Sequence, residues 1–299
     1  MTRIQGTTRL AGVIGWPLDH SLSPAMHNAV YQELGLDWVY VPLAVQDEGG
    51  LRSLVTAIRS LPFVGFNITM PYKEEILELC DEVAMAASMA GAVNTVHCTS
   101  DGRLIGYNTD GRGLLESLST DASFDPSGKS VVLLGAGGAA AGAFVALILA
   151  KCARITVVNR SLERAEELLD RMAPRAGGID LDAVTQEEAE DVVGAADLVI
   201  NATPVGMNPE AESPVPVEWL TEGQVVLDMV YGTAVPTRLV TGGREAGAHV
   251  LDGLGMLVAQ GATAVDIWNA DAQVRTPRET MRAAAQRELA VRNGSEVSG

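Results

Sequence analysis

Lysine is scarce in this chain: of 21 basic residues only Lys73, Lys129 and Lys151 are lysines. Lys73 lies in Phe66-Asn67-Ile68-Thr69-Met70-Pro71-Tyr72-Lys73, just past an apolar run that reads as a strand. Catalytic groups of α/β folds gather at that end of a strand. A lysine in a cleft can deliver a proton to a carbonyl oxygen as hydride arrives; an arginine cannot, because it does not deprotonate. Asp110, in Tyr107-Asn108-Thr109-Asp110, is the candidate carboxylate to orient that lysine and keep it charged. Ser21 and Ser23, in His20-Ser21-Leu22-Ser23-Pro24, precede an expected helix. Capping alone accounts for Ser23, with Pro24 at the first helical position. Ser21 is not explained that way, and two hydroxyls at a helix N-terminus can also receive a carboxylate.

A second chemical signal follows the run Val131 to Leu134. Gly135-Ala136-Gly137-Gly138-Ala139-Ala140 matches the GxGxxG/A dinucleotide fingerprint, with Ala140 in the third position. Gly135 allows a tight turn, and Gly137 lets a pyrophosphate approach the backbone. A helix beginning near Ala139 offers unpaired N–H groups and a positive dipole end. At the end of the next strand an NAD enzyme usually carries Asp or Glu for the ribose 2′-hydroxyl. This chain has Asn159, then Arg160, Ser161 and Arg164. No carboxylate repels a 2′-phosphate there, and two guanidiniums can bind one, so NADP is favoured. The plainer alternative is that both arginines pair with Glu163 and Glu167 on a solvated helix.

The elements that must position these groups alternate between strand and helix. Strands are expected at Leu10 to Ile14, Val39 to Leu43, Phe63 to Thr69 and Val93 to Cys98. Helices are expected at Pro24 to Leu34, Gly50 to Ser60 and Lys73 to Cys80. That rhythm predicts a mostly parallel sheet covered by helices. Ser117 to Ser130 is polar, with Pro126 and Gly128, and reads as a linker. A second α/β series has strands at Val131 to Leu134, Ile155 to Val158, Leu198 to Asn201 and Val225 to Met229. It ends in an apolar helix, Ala259 to Trp268, and a charged, alanine-rich surface helix.

Composition narrows the function classes. Apolar residues make up 47% of 299 residues, which excludes wholesale disorder. A formal net charge of −17 argues against grip on nucleic acid or on an anionic membrane. Cys80, Cys98 and Cys152 have no CxxC spacing, so a disulfide framework or zinc site is not expected and a cytoplasmic setting fits. The four histidines have no metal-binding spacing, and His20 and His27 are expected to serve local hydrogen bonding. Residues 131–150 carry no charge and could span a bilayer, but strand, glycine turn and helix is the preferred reading. No signal peptide is read at the N-terminus.

Taken together, the blocks GWPLDHSLSPAMHN, GFNITMPYKE, AGAVNT, GYNTDG, GAGGAA, NRS, NATPVGM, DMVY and DGLGMLVAQGA make the chain resemble the shikimate dehydrogenase family from about Gly12 to Trp268. The resemblance implies a two-domain α/β fold. Residues 1–113 form a substrate domain, completed by C-terminal helices at about 252–299. Residues 114–251 form a Rossmann-like NADP domain, with the active-site cleft between the two. It implies reversible NADPH-dependent reduction of 3-dehydroshikimate to shikimate, in aromatic amino-acid biosynthesis.

By the same resemblance Lys73 is the acid/base paired with Asp110, and Ser21 and Ser23 hold the substrate carboxylate. Thr69, Asn94, Tyr231 and Gln260 bind ring hydroxyls, with Asp110 beside them. Gly135, Ala136, Gly137, Gly138 and Ala139 cradle the pyrophosphate, Asn159 to Arg164 hold the 2′-phosphate, and Met229 and Gly253 line the nicotinamide. No metal is implied, and a homodimer is left open. Two positions depart from the family pattern: Ala141 stands where many members have arginine, and Met85 where some have an acid. Ser23 and Asn159 favour shikimate and NADP over quinate and NAD. The remaining alternatives are a quinate or dual-substrate dehydrogenase, and a non-catalytic nucleotide-binding regulator.

Overall fold

In the computed structural model, residues 4–294 are described except 209, 234 and 273. The expected outer limits at residues 1–3 and 295–299 lie outside the described residues. The chain divides into two compact units, Met1–Thr109 with Val258–Gly299, and Asp110–Leu257.

The first unit begins with β1 (Arg9–Gly15), α1 (Ser23–Glu33), β2 (Trp38–Ala44), α2 (Glu48–Ile58) and β3 (Phe63–Ile68). It continues with β4 (Glu82–Val83), α3 (Met85–Ala90), β5 (Thr95–Cys98) and β6 (Leu104–Tyr107). Its sheet runs β2-β1-β3-β5-β6-β4. β1 pairs parallel with β2 and β3, but β5 is antiparallel to both β3 and β6. β4 pairs parallel with β6, so five strands run the same way and only β5 is reversed: the sheet is mixed but mostly parallel. β3 is buried on both faces, and Ile14, Phe66, Ile68, Ile76, Val93 and Leu104 form the core beside it. The expected helix over Lys73 to Cys80 is only a short 3-10 turn, Glu75–Leu79.

The second unit contains α4 (Asp110–Ala122), β7 (Ser130–Leu134), α5 (Gly138–Leu149), β8 (Arg154–Val158), α6 (Leu162–Met172) and β9 (Asp180–Val184). Then come α7 (Glu190–Ala195), β10 (Leu198–Asn201), β11 (Val225–Asp228), α8 (Arg238–Glu245) and β12 (His249–Leu251). Its sheet, β12-β11-β10-β7-β8-β9, is parallel throughout. The strand order turns back at β7 and β10, the switch point beside which open α/β sheets bind ligands. The expected linker is corrected in part: α4 runs to Ala122, burying Leu114, Ser117 and Leu118, so only 123–129 are loop.

Residues 131–150 resolve into β7, a glycine turn and α5. Among the described residues no helix is long and apolar enough to cross a membrane. α9 (Gly253–Trp268) begins six residues earlier than the apolar run predicts, and α10 (Arg278–Arg292) closes the chain. Trp268 explains a glycine inside β3. Its indole N–H donates to the Val96 carbonyl at 2.9 Å, and a Cβ on Gly65 would lie 2.1 Å from the indole nitrogen.

Candidate active site

In the first unit the loop after β3 is fastened at both ends. The Thr69 N–H donates to the Ile14 carbonyl at 2.9 Å, and the Trp16 N–H to the Met70 carbonyl at 3.0 Å. A Cβ on Gly15 would meet the Thr69 methyl at 2.4 Å, so the end of β1 and Thr69 approach as closely as glycine permits. Buried Tyr72 donates its hydroxyl to the Val45 carbonyl at 2.9 Å. The Lys73 carbonyl accepts the Val93 N–H at 2.7 Å, which ties the lysine backbone to the segment leading to Asn94. Lys73 itself is half-buried.

Asn94 is buried and doubly joined to Thr109. Its Oδ1 accepts the Thr109 N–H at 2.8 Å, and its Nδ2 donates to Thr109 Oγ1 at 3.0 Å. Asn94 Nδ2 and Thr109 Oγ1 each stand 3.5 Å from Gln260 Oε1. Beneath them Asn67 donates to the Asn94 carbonyl and to Thr95 Oγ1, and accepts the Tyr40 hydroxyl at 2.8 Å. His27 stacks on Tyr40 at 4.1 Å. Burial lowers its pKa to about 4, so the ring is neutral at pH 7. Its Nδ1 lies 2.9 Å from the Ser23 carbonyl, which can only accept, so the proton sits on Nδ1. His27 thus bears out the expectation of local hydrogen bonding, whereas His20 is exposed.

The two serines exchange their expected parts. Ser23 is the first residue of α1, the capping position is Leu22, and the Ser23 hydroxyl makes no cap. Instead Ser21 Oγ accepts the Ser23 N–H at 3.3 Å. Ser21 therefore has a local role that the sequence did not suggest, and the buried Ser23 hydroxyl has no capping task.

In the second unit Gly135 has φ +106° and donates its N–H to the Val158 carbonyl at 2.8 Å. Only glycine takes that φ without strain, and a Cβ would also meet the Thr203 methyl at 2.9 Å. Gly137 is the N-cap of α5 and has no side chain to cap it. A Cβ there would point into open space, which leaves the first-turn N–H groups of α5 accessible to an anion, as a pyrophosphate requires. Gly138 and Ala139 begin that turn, Ala136 precedes it, and Ala141 contributes only a buried methyl. After β8, Asn159 Nδ2 donates to the Ser161 carbonyl at 2.9 Å, and Ser161 caps α6 through the Arg164 N–H. Arg160 and Arg164 are exposed, and neither has an ion-pair partner among the described residues. The pairing with Glu163 and Glu167 is not formed. The residues present fit a phosphorylated dinucleotide.

Asn201 and Asp228, at the ends of β10 and β11, form a network that sequence reasoning missed. Buried Asp228 accepts Thr237 Oγ1 at 2.6 Å, Asn201 Nδ2 at 2.8 Å and the Val230 N–H at 3.0 Å. Burial raises its pKa, and these donors partly offset the rise. Asn201 Oδ1 also accepts both donors of Thr203. The network holds the turn that carries Met229 and Tyr231. Gly253 closes on that turn: its N–H donates to the Val230 carbonyl at 3.2 Å, and a Cβ would lie 2.3 Å from the Met229 carbonyl oxygen. A polar residue ending an apolar run, as in LVIN and VVLD, is the signal that could have found this network. Asp110 is buried as the first residue of α4. Met85 is exposed at the start of α3. Among the described residues no group of three or more His, Cys, Asp or Glu is arranged to hold a metal ion.

Residues 13–96 match the family described as shikimate dehydrogenase substrate binding domain, and residues 118–208 match shikimate / quinate 5-dehydrogenase. The shikimate dehydrogenase (NADP(+)) of Methanopyrus kandleri is 41% identical over 292 residues, covering 96% of this chain and 98% of that protein. A crystal structure of a shikimate dehydrogenase in complex with NADP+ superposes with TM-score 0.87 at 35% identity, covering 96% of this chain and 98% of the other. The Thermus thermophilus shikimate 5-dehydrogenase in complex with NADP(H) and shikimate gives TM-score 0.82 at 35% identity, over 94% and 99% of the two chains.

Proposed function

The chain belongs to the shikimate dehydrogenase family, and from that premise we propose how its own residues carry out the reversible NADPH-dependent reduction of 3-dehydroshikimate to shikimate. It is an NADP-dependent oxidoreductase acting on a CH–OH group. The observation that supports NADP over NAD most directly is the exposed, unpaired Arg160 and Arg164 beyond β8, with Asn159 where an acid would exclude a 2′-phosphate.

The first unit is the substrate domain and the second the nucleotide domain. The glycine turn Gly135 to Gly137 and the first residues of α5, Gly138 and Ala139, hold the pyrophosphate. Asn159, Arg160, Ser161 and Arg164 hold the 2′-phosphate, and Met229 and Gly253 line the nicotinamide. When bound, the reduced nicotinamide supplies the hydride to the ring carbonyl carbon. Lys73 Nζ supplies the proton to the carbonyl oxygen, and in the reverse direction takes it from the hydroxyl. Asp110 is the carboxylate that keeps the lysine charged and oriented.

Ser21 and Ser23 bind the substrate carboxylate, while Thr69, Asn94, Tyr231 and Gln260 bind the ring hydroxyls. The Asn94–Thr109–Gln260 cluster suits a polyol, since its uncharged groups bond directionally and are set before substrate arrives. The three cysteines are free thiols, which supports the cytoplasm as the site of action.

The test is NADP+ and NAD+ reduction by the purified chain with shikimate and quinate side by side. Shikimate with NADP+ is expected to give the highest kcat/KM. A large preference for quinate with NAD+ would overturn the substrate and cofactor assignment. Binding of NADPH without its consumption by dehydroshikimate would favour the non-catalytic regulator.

A further inference from the structure

We propose that Arg292, the last residue of α10, is a positioning residue for the substrate carboxylate, acting through the main chain of Ser21. This rests on the carboxylate role given to Ser21 above. Arg292 Nη2 donates to the Ser21 carbonyl at 3.0 Å, while its Nε pairs with Glu288 at 2.9 Å, one helical turn back. The guanidinium is therefore held from two directions and presents a fixed N–H to the loop between β1 and α1.

The rest of the strap is equally specific. α10 packs along α1 and buries Met281, Ala284 and Ala285. Near its start, the Thr280 hydroxyl bonds to the carboxylate of Glu33, the last residue of α1. The two bonds lie at opposite ends of α1, so the C-terminal helix runs back along it and delivers Arg292 to the serine loop. On its other side Ser21 is held by its N–H, which donates to the Leu18 carbonyl at 2.9 Å, and by its Oγ, which accepts the Ser23 N–H. Rotation of the Ser21–Leu22 peptide, whose carbonyl Arg292 holds, would move Ser21 Oγ away from the Ser23 N–H and from any carboxylate it receives. Fixing the carbonyl from outside removes that freedom before the substrate binds, which lowers the ordering cost of binding.

The pocket geometry points the same way. Ser21 and Arg292 line one surface pocket of about 590 Å³, together with Trp16, Asp19 and Glu288, and Arg292 is the only cation among its lining residues. Because Arg292 is paired with Glu288 and Asp19 stands nearby, its part is to position the loop through a hydrogen bond, not to attract the anion by net charge.

The experiment is steady-state kinetics of the full chain and four variants with shikimate and NADP+. Arg292→Ala should raise the shikimate KM roughly three- to tenfold, the scale of one partly exposed charge-assisted hydrogen bond, with kcat and the NADP+ KM within about twofold. Arg292→Lys should recover part of the loss, because one N–H can still reach the carbonyl. Glu288→Gln should give a smaller rise in the same direction. Thr280→Val cuts the far end of the strap without touching the loop and should leave the shikimate KM unchanged. An unchanged KM in Arg292→Ala, or equal losses for shikimate and NADP+, overturns the inference and leaves the functional reading intact. Failure of the wild-type chain to oxidise shikimate overturns both.

Discussion

Gly253→Ala isolates a purely steric requirement. Gly253 does not occupy the left-handed region, so alanine is allowed there by torsion. What forbids a methyl is the Met229 peptide, whose oxygen would lie 2.3 Å and whose carbon 2.7 Å from the new Cβ, with the Val230 oxygen at 3.1 Å. All three are backbone atoms, so no side chain can rotate aside. The turn must retreat by roughly 1 Å or slightly more to restore ordinary contact distance. That turn is fastened to Asp228 and Asn201, so the strain cannot dissipate locally. Overpacking of this kind costs about 1–3 kcal/mol of stability. A displacement near 1 Å of a surface that positions a reactant costs on the order of a hundredfold in rate. The variant should fold, melt a few degrees lower, and lose about a hundredfold in kcat/KM for shikimate oxidation. Single-turnover NADPH formation at saturating substrate places the loss on the chemical step, and circular dichroism checks the fold. A kcat/KM within about threefold of wild type would refute the claim that this close approach sets the nicotinamide position.

Lys73→Ala should lower kcat at least about a hundredfold with little change in NADPH affinity measured by fluorescence; near-normal turnover would remove it from proton transfer. Arg160→Ala should weaken NADPH more than NADH, because only the former carries the extra phosphate; equal losses would make the arginine merely structural. His27 gives an acid-stability prediction. Its folded pKa, about 4 against 6.5 unfolded, lies below the unfolded value, so stability present near neutrality is lost as pH falls from 6.5 toward 4. Between pH 7 and pH 4.5 this group should account for about 2 kcal/mol of the loss in urea denaturation. His27→Gln should lack that increment, and an identical pH dependence in the variant would count against a neutral buried imidazole.

The second unit was the more legible because its signals are local. Val131 to Leu134, the glycine turn and the helix after it read correctly, since turn chemistry, burial and periodicity all fall within one short stretch. In the first unit the mostly parallel sheet was legible but the reversal of one strand was not, because strand direction is decided by pairing across distant segments. The antiparallel β5 lies between β3 and β6, and nothing within Thr95 to Cys98 announces that. Ser117 to Ala122 looked like linker because α4 shows a polar exposed face and its buried positions include Gly111, Gly113 and Ser117, which carry no hydrophobic periodicity. The α1 boundary shifted by one residue, within the usual scatter of helix ends, yet this was enough to exchange the parts of Ser21 and Ser23.

The glycines show why site residues are harder to read than elements. Gly135 is required by its φ, Gly65 by an indole, and Gly253 by a carbonyl from another strand end. Only the first requirement belongs to the local chain, and it is the one that a motif captures. The other two are set by atoms far away in sequence, as are the partners of Asn67, Asn94 and Asp228. Buried polar groups of this kind must be satisfied or they destabilise the fold, so each marks a place where two segments are held in register. In this chain those places coincide with the ends of β3, β10 and β11 and the start of β5, where Lys73, Asn94 and Met229 are carried. The hydrogen-bond accounting that keeps these strand ends folded therefore also presets the groups proposed to act on substrate and cofactor, and a substitution such as Asp228→Ala should disturb stability and catalysis together.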